Sequence, residues 1–155
     1  MANDFKGLYG RFAQKYEKQA IEVQTKMLLN YAPQALQEAY DSATFSNRTI
    51  NLKDSYAWAV YYKGVRKGKG FLSNKEATKT SVFHGEKVNG RQLANQFISK
   101  YVSNVTNGWE LVMVAAAPYS VCLEGEGFIV LSAAFDSVNK ALLNSANVEL
   151  ILNRY

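Results

Sequence analysis

A chain of 155 residues, 48% of them hydrophobic and 20% charged, has the size and balance of one globular domain, which excludes a disordered or fibrous protein. Its 18 Lys and Arg against 13 Asp and Glu leave a net charge of +5, which permits nucleic-acid or acidic-protein partners without demanding either. One cysteine forms no intramolecular disulfide, and one histidine without a second thiol makes no recognisable zinc set. No cofactor is expected. The opening "MANDFKGLYGRF" lacks a basic start followed by an apolar run, and the longest apolar run, Leu111 to Ala117, is too short to cross a bilayer. The expectation is a soluble protein of a reducing cytoplasm with no membrane partner.

From Phe5, the apolar positions Leu8, Phe12, Tyr16, Ala20, Val23, Met27 and Tyr31 recur at steps of three or four, which predicts one face of a long amphipathic helix. Pro33 has no amide hydrogen and disfavours helix at Ala32, so it should kink or restart that helix, with Leu36 and Tyr40 continuing an apolar stripe. "TFSNRT" (44–49) reads as a loop. "SYAWAVYYKG" (55–64) is rich in aromatic and β-branched residues, and period-two counting sets Tyr56, Trp58, Val60 and Tyr62 on one side of a strand.

The next stretch, about 63–89, is polar, basic and glycine-containing. It predicts a hairpin tip or mobile excursion, with Phe71 and Leu72 returning to the sheet. Asn89 and Gly90 make an entrance to a helix bearing Leu93, Ala94, Phe97, Ile98 and Tyr101, which Gly108 separates from the next element. "WELVMVAAA" (109–117) is apolar on both alternating faces, as a central strand covered on both sides would be. After the glycine turn "EGEG" (124–127), Leu131, Ala134, Phe135, Val138, Ala141 and Leu142 repeat at helical spacing, with Ser132 a candidate cap. "NVELILNRY" (147–155) reads as a final strand or packed tail. The order of elements predicts a single α+β domain over 1–155, with a small, mainly antiparallel sheet packed against a long N-terminal helix and two further helices.

Chemical sites are sparse. Cys122 needs a nearby base or cation to act as a nucleophile, and nothing in the sequence brings the single His84 to it. A lone cysteine beside an apolar run is more often an inert core residue. Glu124 and Glu126 form a carboxylate pair by spacing, but a glycine-flanked turn solvates both rather than giving them the unlike environments of an acid and a base. "GVRKGKGF" lacks the Gly-x-x-x-x-Gly-Lys-Ser/Thr pattern of a phosphate loop, and "PYSVC" lacks the Gly-x-Ser-x-Gly of a nucleophile elbow. The stronger candidate is a contact surface comprising Lys63, Arg66, Lys67, Lys69, Phe71, Lys75 and Lys79, with only Glu76 among them. Clustered cations attract phosphates, and Tyr61, Tyr62 and Phe71 offer faces on which bases stack. The plainer alternative is a solvated loop beside sheet aromatics.

Two blocks together resemble a known family. "RTINLKDSYAWAVYYKG" (48–64) is similar to the Thr-Gly-Asn-Leu-Arg/Lys-x-Ser entrance into the first strand of phage tail-completion or neck proteins related to the HK97 tail-completion protein. Thr49, Asn51, Leu52, Lys53 and Ser55 match, and Ile50 stands where the family commonly has glycine. "LVMVAAAPYSVCLEGEGFIVLSAAF" (111–135) resembles the second signature, an apolar strand, a Tyr-Ala-x-x-Val-Glu-like segment, a glycine turn and a closing helix. Here Tyr119, Glu124 and Gly125 match, while Ser120 and Leu123 replace alanine and valine.

The resemblance implies an α+β structural virion protein without an active site, assembled as a homo-oligomeric ring at the head–tail junction and present in the host cytoplasm during assembly. Its partners would be neighbouring portal, adaptor or tail proteins and, non-specifically, genomic DNA. On that basis the basic excursion would meet an acidic neighbour or face DNA, and the turn at Tyr119, Glu124, Gly125 and Glu126 would form a subunit contact. Ring closure would come from a head-to-tail contact repeated around an axis. The rival expectation is a nucleic-acid-binding module using the same basic loop; a small enzyme built on Cys122 and the acidic turn comes third.

Overall fold

A computed structural model describes residues 2–44, 51–72, 81–83, 86–117, 120–126 and 130–142. The fold is α+β, built on a three-stranded antiparallel sheet in the order β2-β1-β5. Its central strand, β1 (Tyr56–Tyr62), pairs with β2 (Val65–Phe71) through a two-residue turn and with β5 (Trp109–Ala115) on its other side. Lys63 and Gly64 both lie in the left-handed region, φ 47° and 75°, which lets a two-residue hairpin follow the twist of its strands. A separate two-stranded hairpin joins β3 (Ser81–Phe83) to β4 (Glu86–Val88).

The alternation of β1 divides the interior into two layers. On one face Tyr56 and Trp58 meet the long helix α1 (Ala2–Asp41) and α5 (Ser132–Leu142), where Leu36, Leu52, Val130, Ala134 and Val138 are buried. On the other, Ala57, Ala59 and Tyr61 meet Ala94 and Ile98 of α3 (Gly90–Lys100). Small residues on this second face let α3 sit close to the sheet. Its entrance is capped as the sequence predicts, the Asn89 side chain accepting from the Gln92 amide at 3.0 Å.

Several expectations need correction. The basic segment is not one excursion, because Val65–Phe71 is a full strand of the sheet. Glycine makes this possible: Gly70 lies opposite Trp58, whose indole occupies the space a side chain there would fill, and Gly68 faces Leu29 of α1. The strand at 109–115 forms, and among the described residues it stands at an edge of the sheet. Its two apolar faces arise because Leu111, Met113 and Ala115 touch one core and Val112 and Val114 the other; two covered faces do not require two strand neighbours. Of the two expectations for Pro33, a kink or a restart, the restart does not occur: α1 continues through it to Asp41. The lost backbone hydrogen bond is offset by burial of Ala32, Ala35, Leu36 and Ala39 in that same turn and the next.

Nor does the N-terminal part of the apolar stripe of α1 enter the core. Phe12, Tyr16, Ala20, Val23 and Met27 are exposed, as is Tyr9, whereas Tyr31, Leu36 and Tyr40 do meet the core, together with Leu28, Leu29, Ala32, Ala35 and Ala39. At about 100° per residue the exposed set points away from Leu29, Ala32, Leu36 and Ala39. The "EGEG" segment begins not as a turn but as the end of a short helix, α4 (Ser120–Gly125), and Ser132 is the first residue of α5 rather than its cap. Residues 45–50, the tail 143–155, Tyr119, Lys75, Lys79 and His84 lie outside the described residues, as do the side chains of Cys122 and Glu124.

One buried hydroxyl ties the ends of these elements together. Ser55 is fully buried between α2 (Asn51–Asp54) and β1. Its Oγ donates to the Leu52 carbonyl at 2.6 Å and accepts from the Ala117 amide at 3.3 Å, while its carbonyl accepts from the Ala116 amide. Beside it the Tyr56 hydroxyl donates to the Val130 carbonyl at 2.8 Å, holding the approach to α5. Replacing Ser55 by Ala leaves a buried amide and a buried carbonyl without these bonds. The expected loss is about 1–3 kcal/mol of stability, read as a lower urea midpoint with an unchanged slope.

Candidate functional site

The cations of the β1–β2 hairpin are positioned by a bulge. The pairing steps from Val60↔Gly68 to Tyr61↔Arg66, so Lys67 has no opposite residue. Strict alternation would set Arg66 with the glycines and Lys67 with Lys69; the extra residue reverses this. Arg66, Lys69 and Phe71 therefore lie opposite Tyr61, Ala59 and Ala57, on the α3 side. Among the described residues, the sequence-predicted cations fall into two groups, Arg66 and Lys69 along α3, and Lys63 and Lys67 at the hairpin end beside Tyr62.

The first group runs along α3. Arg66 Nη1 donates to the Ile98 carbonyl at 3.4 Å, and Lys69 Nζ to Asn95 Oδ1 at 3.1 Å. The Arg91 guanidinium lies 4.4 Å from the centroid of the Phe71 ring, a cation–π contact. Neither β2 nor α3 contains a carboxylate. Arg91 was not singled out by sequence reasoning; the signal was present in "GRQLANQFISK", an eleven-residue helix with cations at both ends and no acid. This surface is rigid, since its side chains stand on a strand and a helix, and it can take phosphate or carboxylate groups.

The second group is at the hairpin end. Lys63 Nζ and Lys67 Nζ lie 5.3 and 5.8 Å from the centroid of the Tyr62 ring, which contacts Trp109 at 4.6 Å. The Trp109 indole N–H donates to Thr25 Oγ1 of α1 at 3.2 Å, fixing the pair. Tyr62 is half-buried and offers an edge for stacking. Tyr61, in contrast, is buried, so it offers no face to a base. Its hydroxyl has no hydrogen-bond partner; its ring packs on Tyr101, which in turn donates to Glu110 Oε1 at 2.6 Å.

The proposed acidic turn is elsewhere. Gly125 and Glu126 are exposed at the end of α4. This helix follows the end of β5 that pairs with Tyr56, whereas Lys63 follows Tyr62. Lys63 and α4 are thus at opposite ends of a strand about 20 Å long, whereas Phe71, paired with Ala57, lies toward the same end as α4. Acidic residues gather instead in the α1/α5 layer, where Glu38, Asp41 and Asp136 line an open cleft of about 690 Å³ together with Tyr31, Ser137 and Lys140. The Tyr31 hydroxyl is engaged by Ser137 at 3.2 Å. Among the described residues no group of three or more His, Cys, Asp or Glu is arranged to hold a metal ion, and no helix is long and apolar enough to cross a membrane.

The fold and surface define a three-layer α+β protein, helix on sheet on helix, with Arg66, Lys69 and Arg91 in the α3 layer and with Glu38, Asp41 and Asp136, together with Lys140, lining the cleft of the α1/α5 layer. Comparison with protein-family models, with curated proteins and with solved structures gave no match to this chain.

The glycines that make room for this basic strand differ in what a side chain would meet. A methyl at Gly70 would come within 2.8 Å of two Trp58 ring carbons, whereas at Gly68 it would meet the terminal methyl of Leu29. Gly70→Ala should therefore cost about 1–3 kcal/mol and shift Trp58 fluorescence. Gly68→Ala should cost less in the same denaturant titration, because a leucine end can rotate away.

Proposed function

We propose that this chain is a structural virion protein, a ring-forming head–tail connector, neck or tail-completion component of a tailed phage. The observation that carries the reading is the opposition of two charged surfaces across one sheet. Arg66, Lys69 and Arg91 lie in the α3 layer, and Glu38, Asp41 and Asp136 in the α1/α5 layer. A ring closes through a head-to-tail contact, which requires two different and complementary surfaces on each subunit, facing away from each other. The basic surface of one copy meets the acidic cleft of the next.

Further support comes from the two blocks that resemble the tail-completion group. They are far apart in sequence, yet Leu52 and Ser55 from the first are hydrogen-bonded to Ala116 and Ala117 of the second or to each other. A pattern spread over two distant segments is then one local structure. The ring acts by shape and contact at the junction of head and tail, next to portal, adaptor or tail proteins. Charge reversal at Arg66 and Lys69, both exposed, should leave thermal unfolding nearly unchanged but yield heads and tails that do not join. Mass spectrometry of purified particles should find the wild-type chain in a fixed ratio to the portal; particles without it would overturn the reading.

A second reading, a nucleic-acid-binding module, is favoured by the hairpin end, where Lys63 and Lys67 flank the Tyr62–Trp109 pair. Binding of single-stranded DNA that weakens steeply with salt, and about tenfold with Tyr62→Ala through lost stacking, would establish it. No binding at low salt leaves the connector.

A further inference from the structure

We infer that the outward stripe of α1 is a self-association surface, on which the same stripe of a second copy docks in parallel. All of residues 9–20 are exposed, a stretch of helix about 18 Å long. The first residue of this part to reach half-burial is Ile21, and at Thr25 the side chain accepts from the Trp109 indole of the sheet. A helix of this length without tertiary packing is marginal in water. Its polar face is not all that it shows to solvent: Tyr9 is 78% exposed, Phe12 52%, Tyr16 68%, Val23 57% and Met27 61%.

These positions, with Ala20, recur at steps of three, four, four, three and four. That is an eleven-residue pattern, close enough to the helical repeat to keep the stripe straight along one side. The side is opposite the one that Leu28, Leu29, Ala32 and Leu36 bury against the sheet, so the body cannot cover it. The five side chains expose on the order of 500 Å². This is as large as the largest apolar patch of a typical monomer and approaches the roughly 800 Å² that one partner contributes to a stable interface. The residues bordering the stripe make up the difference.

Charge selects the occupant and its direction. One border carries Ala13, Glu17 and Gln24, and the other Lys15, Gln19 and Lys26. Parallel pairing sets the Glu17 border of one helix beside the Lys15 border of the next. Antiparallel pairing sets Glu17 near Glu17 and the lysine border against itself, where Glu22 beside Lys15 and Lys26 offsets only part of the repulsion. A stripe docked on its own copy makes a two-fold contact, separate from the head-to-tail contact that would close a ring, so the inference stands independently of the connector reading.

The test uses the full chain in sedimentation velocity at low salt and in 1 M NaCl. Contacts between charged faces are screened at high salt and apolar contacts are not, so association should persist there. Tyr16→Glu and Val23→Glu should each raise the dissociation constant at least about tenfold with circular dichroism unchanged; Lys18→Ala, outside the stripe, should not. In a Cys122→Ala background, cysteine at position 23 should cross-link to itself between copies. A chain that stays monomeric, stripe variants that associate like wild type in 1 M NaCl, or cross-links only between positions 23 and 13 would overturn the inference. Loss of salt-resistant association in the stripe variants, with the chain absent from particles, would sink the virion reading and leave this surface standing.

Discussion

The Ser55 hydroxyl, buried where three segments meet, is the constraint on which the rest of the arrangement depends. Through it the end of α2, the start of β1 and the segment leaving β5 share one set of hydrogen bonds. Buried polar groups are costly unless paired, so this network holds only when all three segments are in place. The adjacent Tyr56–Val130 bond extends the same condition to the approach to α5. The register of β1 against β5 follows from that end, and with it the assignment of side chains to the two layers.

Once β1 is fixed, charge distribution follows from the hairpin. The bulge at Lys67 reverses the alternation of β2 partway along, so that Arg66 and Lys69, three apart, share a face. That face is completed by Arg91 from α3, while Lys63 and Lys67 are left at the turn beside Tyr62. A mobile basic loop would need to lose conformational entropy on meeting a partner. Cations held on a strand and a helix lose much less, which suits the repeated subunit contact proposed for this face. The lysines also blunt an edge strand that would otherwise invite pairing; the two roles are compatible on one strand.

Helix α1 joins the two scales of organisation. Its C-terminal part is an internal element, packed by small residues onto the sheet, and its N-terminal part carries a second apolar face that no other described residue buries. The helix is thus apolar on opposite sides along its length, one side used within the fold and the other the one for which self-association is proposed.

Much of this was legible in the sequence. Local periodicity and capping identified α1, β1, α3, β5 and α5, because 3.6-residue and two-residue patterns and an Asn before a helix act within a few residues of themselves. The cationic segment was equally plain from composition. Tertiary structure decided which apolar face of α1 is inside, since Tyr16 and Val23 satisfy helical spacing as well as Ala32 and Leu36 do, and only contact with the sheet separates them. It also decided that β5 is an edge, that Val65–Phe71 is a strand, and that Arg91 joins Phe71, because each depends on atoms from segments tens of residues away: the Trp58 and Leu29 side chains over the glycines, and the single unpaired residue of the bulge.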